Sequence, residues 1–302
     1  MSRGSVVRMV GLALFAVCVS AASGCGSWRD ALGRAVDLPF PAASVASLAP
    51  NVTEILYAIG AQERVAGVSN QCDFPLAAKL KPKAGSFNHP DLEKIKALRP
   101  AVVLFSEYAR REDLDALERI GVKAVVLSFR DLADLAKTIR LLGRITGQEE
   151  QAHAAAAALE RSVAEVSRKL EATPPARRPR VYIEVDGPNP IYAVGSGSFM
   201  GDVIRVAGGR NVFEVGPGPY NKITDEDVIR ANPDVALIDH PFQYKVGVMK
   251  RAGWAAVSAV KNGKVYDGAD FDVVLLNRAS PRVAQSLWEI ARLLHPEVFT
   301  TP

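Results

Sequence analysis

Two glutamates occupy matching positions in the two halves of the chain. Glu93 stands seven residues before Pro100, Glu226 stands seven residues before Pro233, and an apolar run follows each proline. An acidic side chain in the first turn of a helix complements the helix dipole, so each glutamate has a local structural explanation. Two carboxylates at equivalent positions of similar lobes could also bind one partner protein that has pseudo-twofold symmetry. The spacing leaves both hypotheses open.

The residues that usually catalyse reactions or hold metals form no recognisable motif. The glycine-rich segment 195–201 lacks the Lys-Ser/Thr pair of a phosphate loop and the Gly-x-Ser-x-Gly spacing of a nucleophile elbow. The histidines have neither clustered nor i,i+4 spacing; they are His89, His153, His240 and His295. The sequence therefore predicts no catalytic residues and no metal site.

The N-terminus has the pattern of an export signal. Arg3 and Arg8 precede an uncharged apolar run over 9–22, which is followed by small residues. The run is shorter than the roughly 20 residues that span a bilayer. We therefore expect residues 1–24 to be a cleaved signal peptide.

The expected cleavage site resembles a bacterial lipobox. It reads Ala-Ser-Gly-Cys and ends at Cys25, with Ala in the first position, where Leu is usual. This predicts acylation of Cys25 and a lipidated tether over 25–42. Cys18 leaves with the signal, so Cys72 alone remains, no disulfide can form within one chain, and a buried thiol is expected.

The composition excludes several classes of protein. A chain of 302 residues with 48% hydrophobic and 23% charged residues is long enough for two globular lobes and is not typical of disorder. Loss of two arginines with the signal lowers the formal net charge from +4 to +2. So small a charge predicts no nucleic-acid partner.

Alternating strand and helix patterns predict an α/β fold of two Rossmann-like lobes with mostly parallel sheets, over 43–148 and 178–302. Between them, 149–173 carries apolar residues at helical spacing and i,i+4 charge pairs, which predicts one long helix joining the lobes. The predicted strands are 44–48, 65–68, 102–105, 124–127, 180–184, 235–238 and 264–266. The predicted helices are 51–60, 90–99, 112–120, 131–143, 149–171, 199–207, 224–232 and 282–294.

Several segments in combination resemble the periplasmic binding proteins of vitamin B12 and ferric-siderophore ABC importers, in the class with a helical backbone between the lobes. These segments are 47–54, 65–69, 72–75, 92–95, 207–213 and 279–282. The resemblance covers residues 40–296 and is greatest to the cobalamin-binding branch. It implies a monomeric binding protein rather than an enzyme, lipid-anchored on the periplasmic side of a membrane, that needs no cofactor. An envelope enzyme on a chelatase-like scaffold is the weaker alternative.

The resemblance also assigns roles to individual residues. It implies that Glu93 and Glu226 contact arginines of the importer's permease subunits. It implies a ligand held between the lobes, with contacts from Phe87, Tyr192, Tyr220, Cys72, Asp73, Asp272 and Arg278. The Cys72-Asp73-Phe74-Pro75 loop favours a corrinoid ligand, whereas Arg278, Tyr244 and Tyr108 keep a ferric siderophore or haem open.

Overall fold

The computed structural model describes residues 28–187, 190–195, 197–214, 216, 218–239 and 244–300. The predicted signal peptide and the predicted acylation site, Cys25, lie outside these residues. Among the described helices, none has both the length and the apolar character that a membrane span requires.

The N-terminal lobe contains one parallel sheet with a short antiparallel edge. Its strands are β1 (Trp28–Arg29), β2 (Ala35–Val36), β3 (Val45–Ser47), β4 (Val65–Ser69), β5 (Lys83–Ser86), β6 (His89–Pro90), β7 (Val102–Phe105) and β8 (Lys123–Val126). Its helices are α1 (Pro50–Ala58), α2 (Leu76–Lys79), α3 (Leu92–Leu98), α4 (Arg111–Arg119) and α5 (Leu132–Thr146). The sheet order is β6-β5-β4-β3-β7-β8, and only the β5–β6 pair is antiparallel. Strands β1 and β2 form a separate hairpin.

The linking helix α6 (Glu149–Lys169) leads into the C-terminal lobe. The strands of that lobe are β9 (Arg180–Asp186), β10 (Ile191–Val194), β11 (Arg210–Asn211), β12 (Tyr220–Ile223), β13 (Val235–Ile238) and β14 (Val265–Tyr266). Its helices are α7 (Phe199–Val206), α8 (Asp225–Ala231), α9 (Tyr244–Met249), α10 (Ser258–Lys261), α11 (Val273–Asn277) and α12 (Val283–Leu294). The order is β12-β10-β9-β13-β14, with β11 paired to β9. The pairs β9–β13, β13–β14 and β9–β11 are parallel, whereas β10 is antiparallel to both its neighbours.

The two lobes share a hydrophobic core as well as the helix between them. Buried residues of α5, α6, α7 and α12 belong to one continuous cluster that reaches both sheets. Helices α5 and α6 approach closely because their contact residues are small: a Cβ atom on Gly143 would lie 2.3 Å from the Cβ of Ala152. The predicted linking helix is thus confirmed, and it packs against helices of both lobes.

The predicted duplication is confirmed in the backbone. Helices α3 and α8 are each seven residues long, and each ends at a left-handed residue, Arg99 or Asn232, before a proline and a buried strand. Asp91 caps the start of α3, and Thr224 forms a capping box with Asp227 at the start of α8. Each helix therefore begins towards the carboxyl edge of its sheet.

Two local predictions were wrong. Residues 28–42 do not form a tether: Val36 and Leu38 are buried in the core, and the amide of Ala42 donates to the carbonyl of Ile145 at 2.7 Å. The first helix, predicted over 51–60, begins one residue earlier at Pro50, since proline suits the first helical turn.

Candidate ligand-binding cleft

A cavity of about 380 Å³ lies between the lobes. The N-terminal lobe contributes Pro50, Asn51, Gln71, Phe87, Ser106, Glu107, Tyr108 and Phe129, and the C-terminal lobe contributes Phe199, Met200, Tyr220, Asn277, Arg278 and Ala279. Most of the N-terminal residues follow the carboxyl ends of parallel strands, the usual ligand site of an open α/β sheet. Strand polarity therefore explains why these distant segments converge.

Aromatic side chains from both lobes face the cavity. The ring centroids of Phe87 and Tyr108 are 6.4 Å apart, and Tyr220 approaches from the opposite lobe. Phe87 and Tyr220 remain 41% and 38% exposed, so both present apolar surface to an incoming ligand. Burial raises the pKa values of Tyr108 and Tyr220, so both are neutral phenols at physiological pH.

Arg278 links the cavity to a buried ionic cluster between the lobes. Its Nη1 donates to Glu54 Oε1 at 2.7 Å and also to Asp73 Oδ1. The Glu54 carboxylate, on α1, further accepts from Ser280 Oγ at 2.8 Å and from Arg282 Nη1 at 3.3 Å. The hydrogen bond from Arg278 lowers the pKa of Asp73, so that carboxylate stays ionised well into the acidic range.

Arg282 extends this cluster through an aromatic contact. Its guanidinium carbon lies 3.8 Å above the centre of the Phe74 ring. The 72–75 loop of the N-terminal lobe and the 278–282 segment of the C-terminal lobe are thus in contact. Two of the segments that carry the family resemblance form one interlobe junction.

Four of the predicted ligand contacts lie in or beside the cavity. Phe87, Tyr220 and Arg278 line the cavity, and Tyr192 joins Tyr220 in an adjoining shallow depression. Asp73 does not line the cavity, but its half-exposed carboxylate accepts a hydrogen bond from the lining residue Arg278.

Cys72 and Asp272 have other roles. Cys72 is buried, with its sulphur 3.1 Å from Thr53 Oγ1 and 3.2 Å from Ser69 Oγ, so the expected buried thiol is confirmed and direct ligand contact is not possible. Asp272 caps α11 by accepting from the amides of Val274 and Leu275. A helix cap in this position satisfies backbone groups and does not face the cavity.

Sequence reasoning missed Glu107, Asn277 and Asp239. Each follows a strand or ends a short helix and belongs to no motif. Glu107 comes two residues after β7 and Asp239 directly after β13. For the two acids, the only available signal was their place at the ends of buried strands in the duplicated unit.

A larger groove of about 530 Å³ lies beside the starts of α5 and α7. Two of its arginines are already paired, Arg130 with Asp134 at 2.8 Å and Arg205 with Asp202. It lacks the aromatic lining of the interlobe cavity. The interlobe cavity is therefore the better candidate for the ligand site.

Glu93 and Glu226 both lie on the surface. The Glu93 side chain is 90% exposed, and its nearest cation is Lys96 at 3.9 Å. Glu226 is exposed in the first turn of α8. The two carboxylates are therefore accessible to a partner protein, one on each lobe.

Comparison with known proteins agrees with this architecture. Residues 45–270 match the periplasmic binding protein family model. An ABC transporter substrate-binding lipoprotein of Bacillus subtilis, YvrC, is 28% identical, with 89% of this chain and 85% of the relative covered. A vitamin B12-binding protein of Vibrio cholerae is 27% identical, with 85% and 90% covered.

Solved structures share the fold. The periplasmic vitamin B12-binding protein of Vibrio cholerae superposes with a TM-score of 0.75 and 24% identity, with 87% of this chain and 100% of that chain covered. Other structures with this fold include a haem-binding and a molybdate-binding protein, so the fold does not determine the ligand. The family match extends over most of the chain, from the first strand of the N-terminal sheet to beyond the last strand of the C-terminal sheet. The chain therefore belongs to the periplasmic binding protein family and is a periplasmic substrate-binding protein of an ABC transporter.

Proposed function

We propose that this protein captures a corrinoid of the vitamin B12 type between its lobes and delivers it to a membrane permease. The observation that carries the proposal is the interlobe cavity, in which Phe87, Tyr108 and Tyr220 present aromatic surface from both lobes. Such side chains suit a large, flat ligand because they supply contact area at low entropic cost. The vitamin B12-binding relatives add support from sequence.

We further propose that Cys25 is acylated and tethers the protein to the membrane. The lipobox-like residues around Cys25 support this, and so does the lipoprotein name of the Bacillus subtilis relative. Glu93 and Glu226 then dock on arginines of the permease. Charge-assisted Arg–carboxylate pairs are directional and weaken with salt, which suits reversible docking.

A ferric siderophore or haem is the second candidate ligand. The observation that favours it is Tyr108, a half-exposed phenol at the cavity, because tyrosine oxygen is a known ligand of haem iron. Burial opposes this role, since it raises the pKa of Tyr108 and so disfavours the phenolate that would ligate iron.

The test is a ligand panel on the purified mature chain. Cyanocobalamin, haem and a set of ferric siderophores are added separately, and the melting temperature and the ligand absorbance are followed. A ligand that binds only the folded state raises the melting temperature, and the rise grows with the ratio of free ligand concentration to Kd. The corrinoid proposal requires the largest rise with cyanocobalamin; a rise with haem alone would replace it by the second candidate.

A further inference from the structure

Two carboxyl groups, one from each lobe, lie at one end of the cleft; Asp239 is buried, and Glu107 is partly buried. Glu107 follows β7 and Asp239 follows β13, which are matching strands of the duplicated unit. Glu107 lines the cavity directly. Asp239 is 8% exposed, and its Oδ2 accepts a hydrogen bond from Nδ2 of Asn277, another lining residue. The duplication therefore places one acid on each side of the cleft.

Both carboxyl groups have an oxygen that no described residue satisfies. Glu107 Oε2 and Asp239 Oδ1 are shielded from solvent, yet neither has a hydrogen-bond partner within the described ranges. A buried acceptor without a partner is unfavourable, and most such atoms in proteins are satisfied by protein, water or a ligand. Burial raises the pKa of Glu107, and it raises that of Asp239 to about 7.

The two acids act on the same point of the cleft. Burial is the main cause of the raised pKa of Tyr220, whose side chain lies between the lobes, and after Tyr108 the nearby charges of Glu107 and Asp239 both add to it. Among the described lining residues the cation is Arg278, and its charge is already matched by Glu54 and Asp73. This end of the cleft therefore offers hydrogen-bond acceptors and negative charge, with no uncompensated positive charge to receive an anion.

We infer that Glu107 and Asp239 determine ligand specificity by accepting hydrogen bonds from N–H donors on the ligand's edge. A ligand with neutral carboxamide groups satisfies both oxygens, whereas a carboxylate at the same place meets like charge in a dry site. The cleft thus selects an amide-bearing macrocycle over one bearing carboxylates. This inference rests on the proposed function, because it names the ligand chemistry of the same cavity.

The experiment compares paired ligands that differ only in amide against acid. Cyanocobalamin is titrated beside its monocarboxylic derivatives, in which one peripheral amide is hydrolysed, and haemin beside its bis-amide. Measurements are made at pH 8, where free carboxylates are ionised. We expect the wild-type protein to bind cyanocobalamin at least tenfold more tightly than at least one of its monocarboxylic derivatives.

The variants are Glu107→Gln and Asp239→Asn, which keep the shape of each side chain and remove its charge. Each variant should reduce the ratio of the affinity for the amide ligand to the affinity for the acid ligand at least threefold. Glu118→Gln, on the exposed face of α4, should leave this ratio unchanged. Equal affinities in the wild type, or a ratio unchanged in both variants, would overturn the inference. If corrinoids fail to bind but haemin bis-amide binds more tightly than haemin, the corrinoid proposal fails. The inferred preference of the cleft for ligands with N–H donors then still stands.

Discussion

The carboxylate of Glu54 and the guanidinium of Arg278 form a 2.7 Å ion pair across 224 positions of sequence. The Glu54 side chain is 1% exposed and that of Arg278 is 18% exposed, so the pair joins the lobes in a largely dry environment. Removing one member of such a pair leaves a buried charge without its partner. This contact and the shared core together join the two lobes beside the cleft.

The first prediction concerns this pair. Glu54→Gln should lower the free energy of unfolding by about 3 kcal/mol, because Arg278 and Arg282 lose a buried counter-charge. The control is Glu160→Gln, which breaks the exposed pair with Arg140 and should cost less than about 1 kcal/mol. Urea unfolding followed by circular dichroism measures both; similar losses would refute a buried interlobe junction.

The second prediction tests the packing of α5 on α6. Gly143→Ala should destabilise the protein by about 1–3 kcal/mol, since the added methyl group would lie 2.3 Å from the Cβ of Ala152. Gly247→Ala on α9 is the matched control, because no atom lies within 4 Å of the new methyl group. It should be neutral or stabilise by up to about 1 kcal/mol. Thermal unfolding of both variants tests this contrast, and a stable Gly143→Ala protein would contradict the close helix contact.

The third prediction concerns pH. Asp239 has a folded-state pKa of about 7 against an ordinary value of 3.8, so the folded protein holds this proton more tightly than the unfolded chain does. The associated stability is fully present below about pH 4 and is lost as pH rises through 7. The loss should be on the order of 1.4 kcal/mol per unit of pKa difference.

Comparison with Asp239→Asn isolates that proton. The wild type should lose stability relative to this variant between pH 4 and pH 8, as measured by unfolding at several pH values without ligand. Asp115→Asn, at an exposed position on α4, should show no such trend relative to wild type. A difference between wild type and Asp239→Asn that does not change with pH would mean that Asp239 ionises normally.

The fourth prediction separates docking from ligand capture. Glu93→Ala with Glu226→Ala should lower uptake in cells by roughly tenfold or more while ligand affinity stays the same, because both side chains lie outside the cleft. Glu112→Ala with Glu149→Ala removes the same charge from exposed first turns of other helices. Normal uptake by the Glu93→Ala, Glu226→Ala double variant would exclude specific docking at these positions. An equal loss of uptake in both double variants would exclude it as well.

Much of the fold could be predicted because its signals are local. The long helix α6 was predicted from the spacing of its apolar residues over many turns. The duplicated helices α3 and α8 were predicted from a fixed spacing between an acidic residue and a proline. The antiparallel edge formed by β10 and β12 could not be predicted, since 25 residues separate these strands and pairing is decided by the sheet as a whole. The hairpin at 28–36 was mistaken for a tether because two-residue strands leave no periodic pattern.

The site was predicted only in part. Phe87, Tyr220 and Arg278 were found through the family resemblance, and all three line the cavity. Glu107 and Asp239 were missed because a single acid after a strand carries no pattern of its own. Their significance depends on burial and on the opposing lobe, which only the tertiary structure supplies.

The central claim is that the aromatic cleft between the lobes holds a corrinoid. The most direct measurement is the Kd of cyanocobalamin for the wild type and for the double variant Phe87→Ala, Tyr220→Ala. The control is Leu80→Ala, at an exposed apolar position outside the cleft. The account predicts that saturable binding is weakened about tenfold or more by the cleft pair and is unaffected by Leu80→Ala. The absence of cyanocobalamin binding by the folded wild type, or equal affinity in all three proteins, would contradict it.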